Sequence, residues 1–117
     1  MTEPSPTDRL PDVDPGRAAE LLARGEAALL DVREPQEWAA GRAPQAEHVP
    51  LGSLTLAAIP PGRPLIAVCR SGNRSGKAAD ALAAAGVPVH NLAGGMKAWA
   101  AAGLPVVTDD GTPGTVA

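Results

Sequence analysis

The chain has 117 residues, 44% apolar and 20% charged, with a net charge of −3. That balance predicts one globular domain with a modest core and excludes the basic stripe of a nucleic-acid-binding surface. The single cysteine excludes an internal disulfide, no second thiol is present to help it hold a metal, and no apolar run approaches a membrane span. Metal, cofactor, nucleic acid and membrane are therefore not expected as partners. Two Trp are the only aromatic residues, so Leu, Val and Ala must fill the core. Arg outnumbers Lys eight to two, which indicates GC-rich coding, and a bacterial protein is expected. The N-terminus has no signal-like apolar run, so a cytoplasmic, reducing location and a free thiol are expected.

Residues 1–11 contain Pro4, Pro6 and Pro11 and read as a flexible tail. The folded domain is expected over 12–107. Val13 is a short extended stretch, and Asp14-Pro15 then forms a cap and first turn for a helix with Ala18, Leu21 and Leu22 on one face. Residues 27–32 form an apolar run without alternation, as in a strand buried on both faces. A short helix follows at 34–40 with Trp38 turned inward and Glu34 and Glu37 in solvent. Residues 42–51 form a loop, extended at His48 and Val49, and 51–59 a further helix. Residues 60–64 turn the chain into the central strand at 65–68. Cys69 and a polar loop come next, then a helix over 75–85 and a strand over 87–92. Gly94 and Gly95 turn into a last helix over 96–102. Residues 104–107 are extended, and 108–117 read as a second flexible tail.

Strands alternating with helices predict an α/β fold, with a mainly parallel sheet of about five strands covered by helices on both faces. Ligands of such sheets bind beyond the carboxyl ends of the strands. Those ends carry Asp31 and Arg33, Cys69, and Gly94, so polar groups converge on one edge. A thiol between a strand end and a helix start lies among N–H groups that favour the thiolate. Arg70, Arg74 and Lys77 add positive charge, and Gly72 permits a left-handed turn. Such a loop is a nucleophile in an anion-binding bowl. Asp31 and Arg33 read as a supporting ion pair, while His48 and His90 have no partner that would make either a base. Trp38 and Trp99 read as core.

These residues resemble the rhodanese-like domain family. Asp31-Val32-Arg33-Glu34 with Trp38 is similar to its first signature. Residues 41–51 follow its second stretch, with Arg42 where the family often has His and Gln45 in place of a Gly; Arg42 is expected in solvent. Cys69-Arg70-Ser71-Gly72-Asn73-Arg74-Ser75 matches the active loop, and Gly94-Gly95 with Trp99 the closing signature. The resemblance implies a rhodanese-like fold and a thiosulfate sulfurtransferase-like enzyme. Sulfane sulfur would pass from thiosulfate or a persulfide donor to a thiol or cyanide through a Cys69 persulfide. Backbone N–H groups of Arg70, Ser71, Gly72, Asn73 and Arg74 would cradle the carried sulfur, and Arg70 and Arg74 would attract a small anionic donor. The alternatives are a protein-to-protein sulfur-relay or regulatory binding module and, less in keeping with the loop, a cysteine-based phosphatase or arsenate reductase. Four residues separate Cys69 from Arg74, one fewer than in the related phosphatases, and a shorter loop suits a sulfur atom better than a phosphoryl group.

Overall fold

The computed structural model describes residues 9–117; of the flexible tail expected over 1–11, residues 1–8 lie outside the described residues, while Leu10 N–H donates to Val89 O at 2.9 Å and ties the rest to the sheet. Helix α1 (Pro15–Ala23) begins where the Asp14 carboxylate accepts from Arg17 N–H at 2.7 Å, with Pro15 in the first turn. Strand β1 (Ala28–Asp31) is buried at every position. Helix α2 (Pro35–Ala40) leads to the two-residue strand β2 (Glu47–His48). Strand β3 (Leu65–Val68) is again wholly buried and is followed by α3 (Asn73–Ala84), β4 (Val89–Asn91) and α4 (Gly95–Ala101).

The strands form one parallel sheet in the order β2-β1-β3-β4. Side chains alternate across it, so the uninterrupted apolar runs feed two separate cores. Leu30, Leu65, Ala67 and Cys69 face α3, where Ala78, Ala79 and Leu82 meet them. Leu29, Ile66 and Val68 face Ala18 and Leu21 of α1 and Met96 and Trp99 of α4. The chain runs outward from β1 to β2 and then crosses back over β1 to β3. This reversal makes the carboxyl ends of β1 and β3 the switch point of the sheet, where ligands of such folds bind.

Among the described residues four strands form rather than about five. Arg9 and Val13 pair with Val89 and Leu92 through isolated parallel bridges. Asp14 turns at once into α1, so no continuous ladder can grow there. Residues 51–59 are not one helix but two 3-10 turns, Leu51–Ser53 and Leu56–Ala58, with Leu54 and Thr55 extended between them. Gly52, Ser53 and the β-branched Thr55 are weak helix formers, and backbone bonds to β1 hold this segment, with Val49 N–H donating to Asp31 O at 2.9 Å and Leu51 N–H to Val32 O at 3.0 Å.

Residues 108–117 pack back on the domain instead of trailing away. Val107 bridges both Arg42 and Pro113, Gly114 N–H donates to Val106 O at 2.8 Å, and Thr115 N–H donates to Ala40 O at 2.9 Å. Val116 packs against the α1/α4 core. Arg42 is therefore not in solvent: it pairs with Asp109 and lies over the Trp38 ring, 4.4 Å from its centroid. Trp38 is half-buried rather than core, stacked on the other side against His48 at 4.6 Å. The His48 ring Nε2 lies 2.8 Å from Arg33 O. Trp99 is fully buried and donates from its indole N–H to Pro105 O at 2.8 Å.

Candidate active site

Cys69 follows β3 directly, and its residue is 1% exposed. The sulfur lies on the floor of a loop whose rim residues, Arg70, Ser71 and Asn73, are exposed. Gly72 turns the chain with φ +106°, a left-handed conformation glycine adopts without strain. That turn aims Gly72 N–H at Cys69 Sγ, 3.0 Å away. The first turn of α4 holds the loop from behind: Met96 N–H donates to Cys69 O at 2.8 Å and Lys97 N–H to Arg70 O at 3.0 Å. These are helix N-terminal donors with no partner inside their own helix.

Ser75 sits in the first turn of α3 and is fully buried. Its Oγ is 3.2 Å from Cys69 Sγ and 2.6 Å from Asn91 Oδ1. Asn91, at the end of β4, is fixed in turn by donating from Nδ2 to Gly72 O at 3.2 Å. Asn91 therefore presents an acceptor to Ser75, and the single hydroxyl proton serves either Asn91 or the sulfur. Burial pushes the Cys69 thiol up, but the Ser75 hydroxyl and the backbone N–H groups of Ser75, Gly72 and Ser71 outweigh it, so the thiol titrates below its ordinary value. Ser75→Ala removes the hydroxyl donor and must move this titration to higher pH. Iodoacetamide alkylation of Cys69 at neutral pH should fall roughly five- to tenfold, the worth of a typical net hydrogen bond of about 1 kcal/mol, while the rate at high pH stays near wild type. An unchanged midpoint in the pH–rate profile would remove Ser75 from the thiolate's support.

The two loop arginines have different surroundings. Arg70 is exposed and donates from Nε to the backbone O of Ala117 at 2.9 Å. Arg74 is bound to Glu37, with Nη1 to Oε1 at 2.6 Å and Nη2 to Oε2 at 2.8 Å. The Arg74 guanidinium holds the Glu37 carboxyl down at about 2, against the partial burial that would raise it, and Glu37 in return holds Arg74 further into its charged form. Glu37 is therefore not a solvated helix residue. It also accepts from Glu34 N–H at 2.9 Å, which fastens it to the first turn of α2.

Asp31 and Arg33 are both wholly buried and turned toward each other. Arg33 Nε and Nη2 meet the Asp31 carboxylate at 2.9 and 2.8 Å, and Nη2 also donates to Gly41 O at 2.8 Å. The pair braces the β1 end against the α2 exit and presents no group to a substrate. Asn91 is the site residue that sequence reasoning passes over; Ser75 is expected in the loop with no role for its hydroxyl, and Glu37 in solvent. A polar Asn at the carboxyl end of the strand expected over 87–92 is a signal that could have found Asn91. Nothing local marks Glu37, whose partner is 37 residues away. Among the described residues no group of three His, Cys, Asp or Glu side chains could hold a metal, and no helix is long and apolar enough to cross a membrane.

A lone cysteine in a ring of N–H and O–H donors, at the carboxyl edge of a parallel sheet, defines a thiolate-centred α/β domain. The rhodanese-like domain model matches residues 14–102, and the chain belongs to that family. It is 38% identical over 104 residues to a protein of Allochromatium vinosum named sulfurtransferase, with 86% of this chain and 97% of that one covered. It is 36% identical over 104 residues to an uncharacterised protein of Synechocystis, covering 86% of this chain but 58% of that protein. A rhodanese-related protein of Thermoplasma volcanium superposes with a TM-score of 0.77 at 26% identity, over 84% of this chain and 98% of that one.

Proposed function

We propose that the protein is a sulfurtransferase that carries sulfane sulfur as a persulfide on Cys69. The observation that carries this reading is the loop itself: a sulfur with Gly72 N–H at 3.0 Å and Ser75 Oγ at 3.2 Å, and a thiol held below its ordinary pKa. Sulfurtransferase chemistry in the Allochromatium relative supports it. With thiosulfate, the Cys69 thiolate attacks the outer sulfur. A sulfur–sulfur bond forms on Cys69, the bond inside thiosulfate breaks, and sulfite departs with its electron pair. A thiol or cyanide then attacks the terminal sulfur and Cys69 leaves as thiolate. The two half-reactions predict ping-pong kinetics. The loop N–H groups that support the thiolate are placed to support the charge of the terminal sulfur as well. The four residues between Cys69 and Arg74 count against a phosphatase.

Incubation with thiosulfate, followed by intact-mass measurement, should show the gain of one sulfur atom. Cyanide should remove it, and Cys69→Ser should never acquire it. Turnover of a phosphate ester by protein that gains no sulfur from any sulfane donor would overturn the reading.

A further inference from the structure

An anionic donor approaching Cys69 meets less positive charge than the loop's composition suggests. Arg74 gives both terminal nitrogens to Glu37, at 2.6 and 2.8 Å. The Glu37 side chain is 13% exposed and that of Arg74 36%, so the carboxylate is sheltered beside a guanidinium that still reaches solvent. The charge of Glu34, at the start of the same helix, also acts on Arg74. Arg33, the next cation along the edge, is held by Asp31. Lys77 and Arg70 are exposed, and solvent damps their fields.

Resting on the sulfurtransferase reading, we infer that Glu37 is a specificity-determining residue that neutralises Arg74 and turns the site toward persulfide donors and away from dianionic thiosulfate. A persulfide of a small thiol or of a protein cysteine brings at most one charge to the reacting sulfur. Its transfer balances without a further reagent: the Cys69 thiolate attacks the outer sulfur, the donor's sulfur–sulfur bond breaks, and the donor leaves as thiolate. Thiosulfate brings two negative charges into a site that offers them one exposed loop arginine. Discrimination of this kind works by withholding an attraction from the competing substrate.

Charge can be read separately from sulfur chemistry by alkylating Cys69 with iodoacetate, an anion, and iodoacetamide, which is neutral. Both react with the same thiolate, so their rate ratio cancels any change in its amount. Glu37→Gln keeps an oxygen for Glu34 N–H and one Arg74 nitrogen but removes the charge. The iodoacetate-to-iodoacetamide ratio should rise about fivefold, and more at low salt than at high salt. Arg74→Gln, which leaves Glu37 unopposed, should lower the ratio, and the double variant should return it to within about twofold of wild type. A loss of fold would move both reagents together and could not produce this crossing pattern. In single-turnover loading followed by mass, Glu37→Gln should favour thiosulfate about tenfold relative to the persulfide of N-acetylcysteine amide. A ratio unmoved by Glu37→Gln, or a double variant that fails to restore it, overturns the assignment of Glu37. The crossing pattern with no sulfur gained from either donor leaves the charge effect standing and overturns the sulfurtransferase reading on which the donor preference rests.

Discussion

Asp31→Ala should destabilise the domain by about 3–5 kcal/mol, the usual loss when one member of a buried ion pair is removed. Arg33 would keep its charge with no exposed surface, and its only remaining side-chain partner among the described residues would be Gly41 O. One of its nitrogens, Nη1, already lacks a hydrogen-bond partner among the described residues. Domains of this size have a total stability of about 5–15 kcal/mol, so much of the protein could unfold at 37 °C. Urea unfolding monitored by the fluorescence of Trp38 and Trp99 measures the loss. The double variant Asp31→Leu/Arg33→Leu should lose less, because no charge is then left buried. A single variant as stable as wild type would mean that water reaches Arg33. The pair's work is positional: it ties Gly41 O to the end of β1, and α2, which carries Glu37, is held between them.

The second large effect is expected at Gly95. A Cβ there would stand 2.5 Å from Cys69 O and 2.6 Å from Arg70 C and O, and the residue has φ +61°. All three contacts are backbone, so no side chain can swing aside. Gly95→Ala should cost about 1–2 kcal/mol for the left-handed conformation and about 1–3 kcal/mol more for overpacking. The strain falls on the loop that holds the sulfur, so Cys69 alkylation should slow at least tenfold. Gly103→Ala is the matched control. It has φ +78° but open space around its Cβ, so it should show the conformational cost alone and an unchanged alkylation rate. Equal stability losses in the two variants would show that α4 does not press on the loop.

The close approach behind that prediction explains why Gly94 and Gly95 could be placed in a turn from sequence while their purpose could not. The pair marks the chain's entry into α4. That α4 also caps the carbonyls of Cys69 and Arg70 depends on β3 and β4 being neighbours. The same division separates Ser75 from Asn91. Ser75 belongs to the loop, whereas Asn91 reaches it only through the β3–β4 register, in which Ala67 lies beside Asn91.

What the sequence determined by itself was local in origin. Apolar runs without alternation signalled strands buried on both faces, and helical spacing of Ala and Leu signalled the layers on either side. The Asp14-Pro15 start, the glycine turns and the thiol between strand and helix were legible because each depends on backbone conformation within a few residues. Only the tertiary structure decided which charges face the thiol. The pairing of Arg74 with Glu37, the placing of Arg42 between Trp38 and Asp109, and the return of residues 108–117 onto the domain all join segments far apart in the chain. Their formation depends on which surfaces the sheet order brings together. A guanidinium has the same sequence signature whether it faces a substrate or a carboxylate. Its electrostatic role at Cys69 is set by the partner that packing supplies.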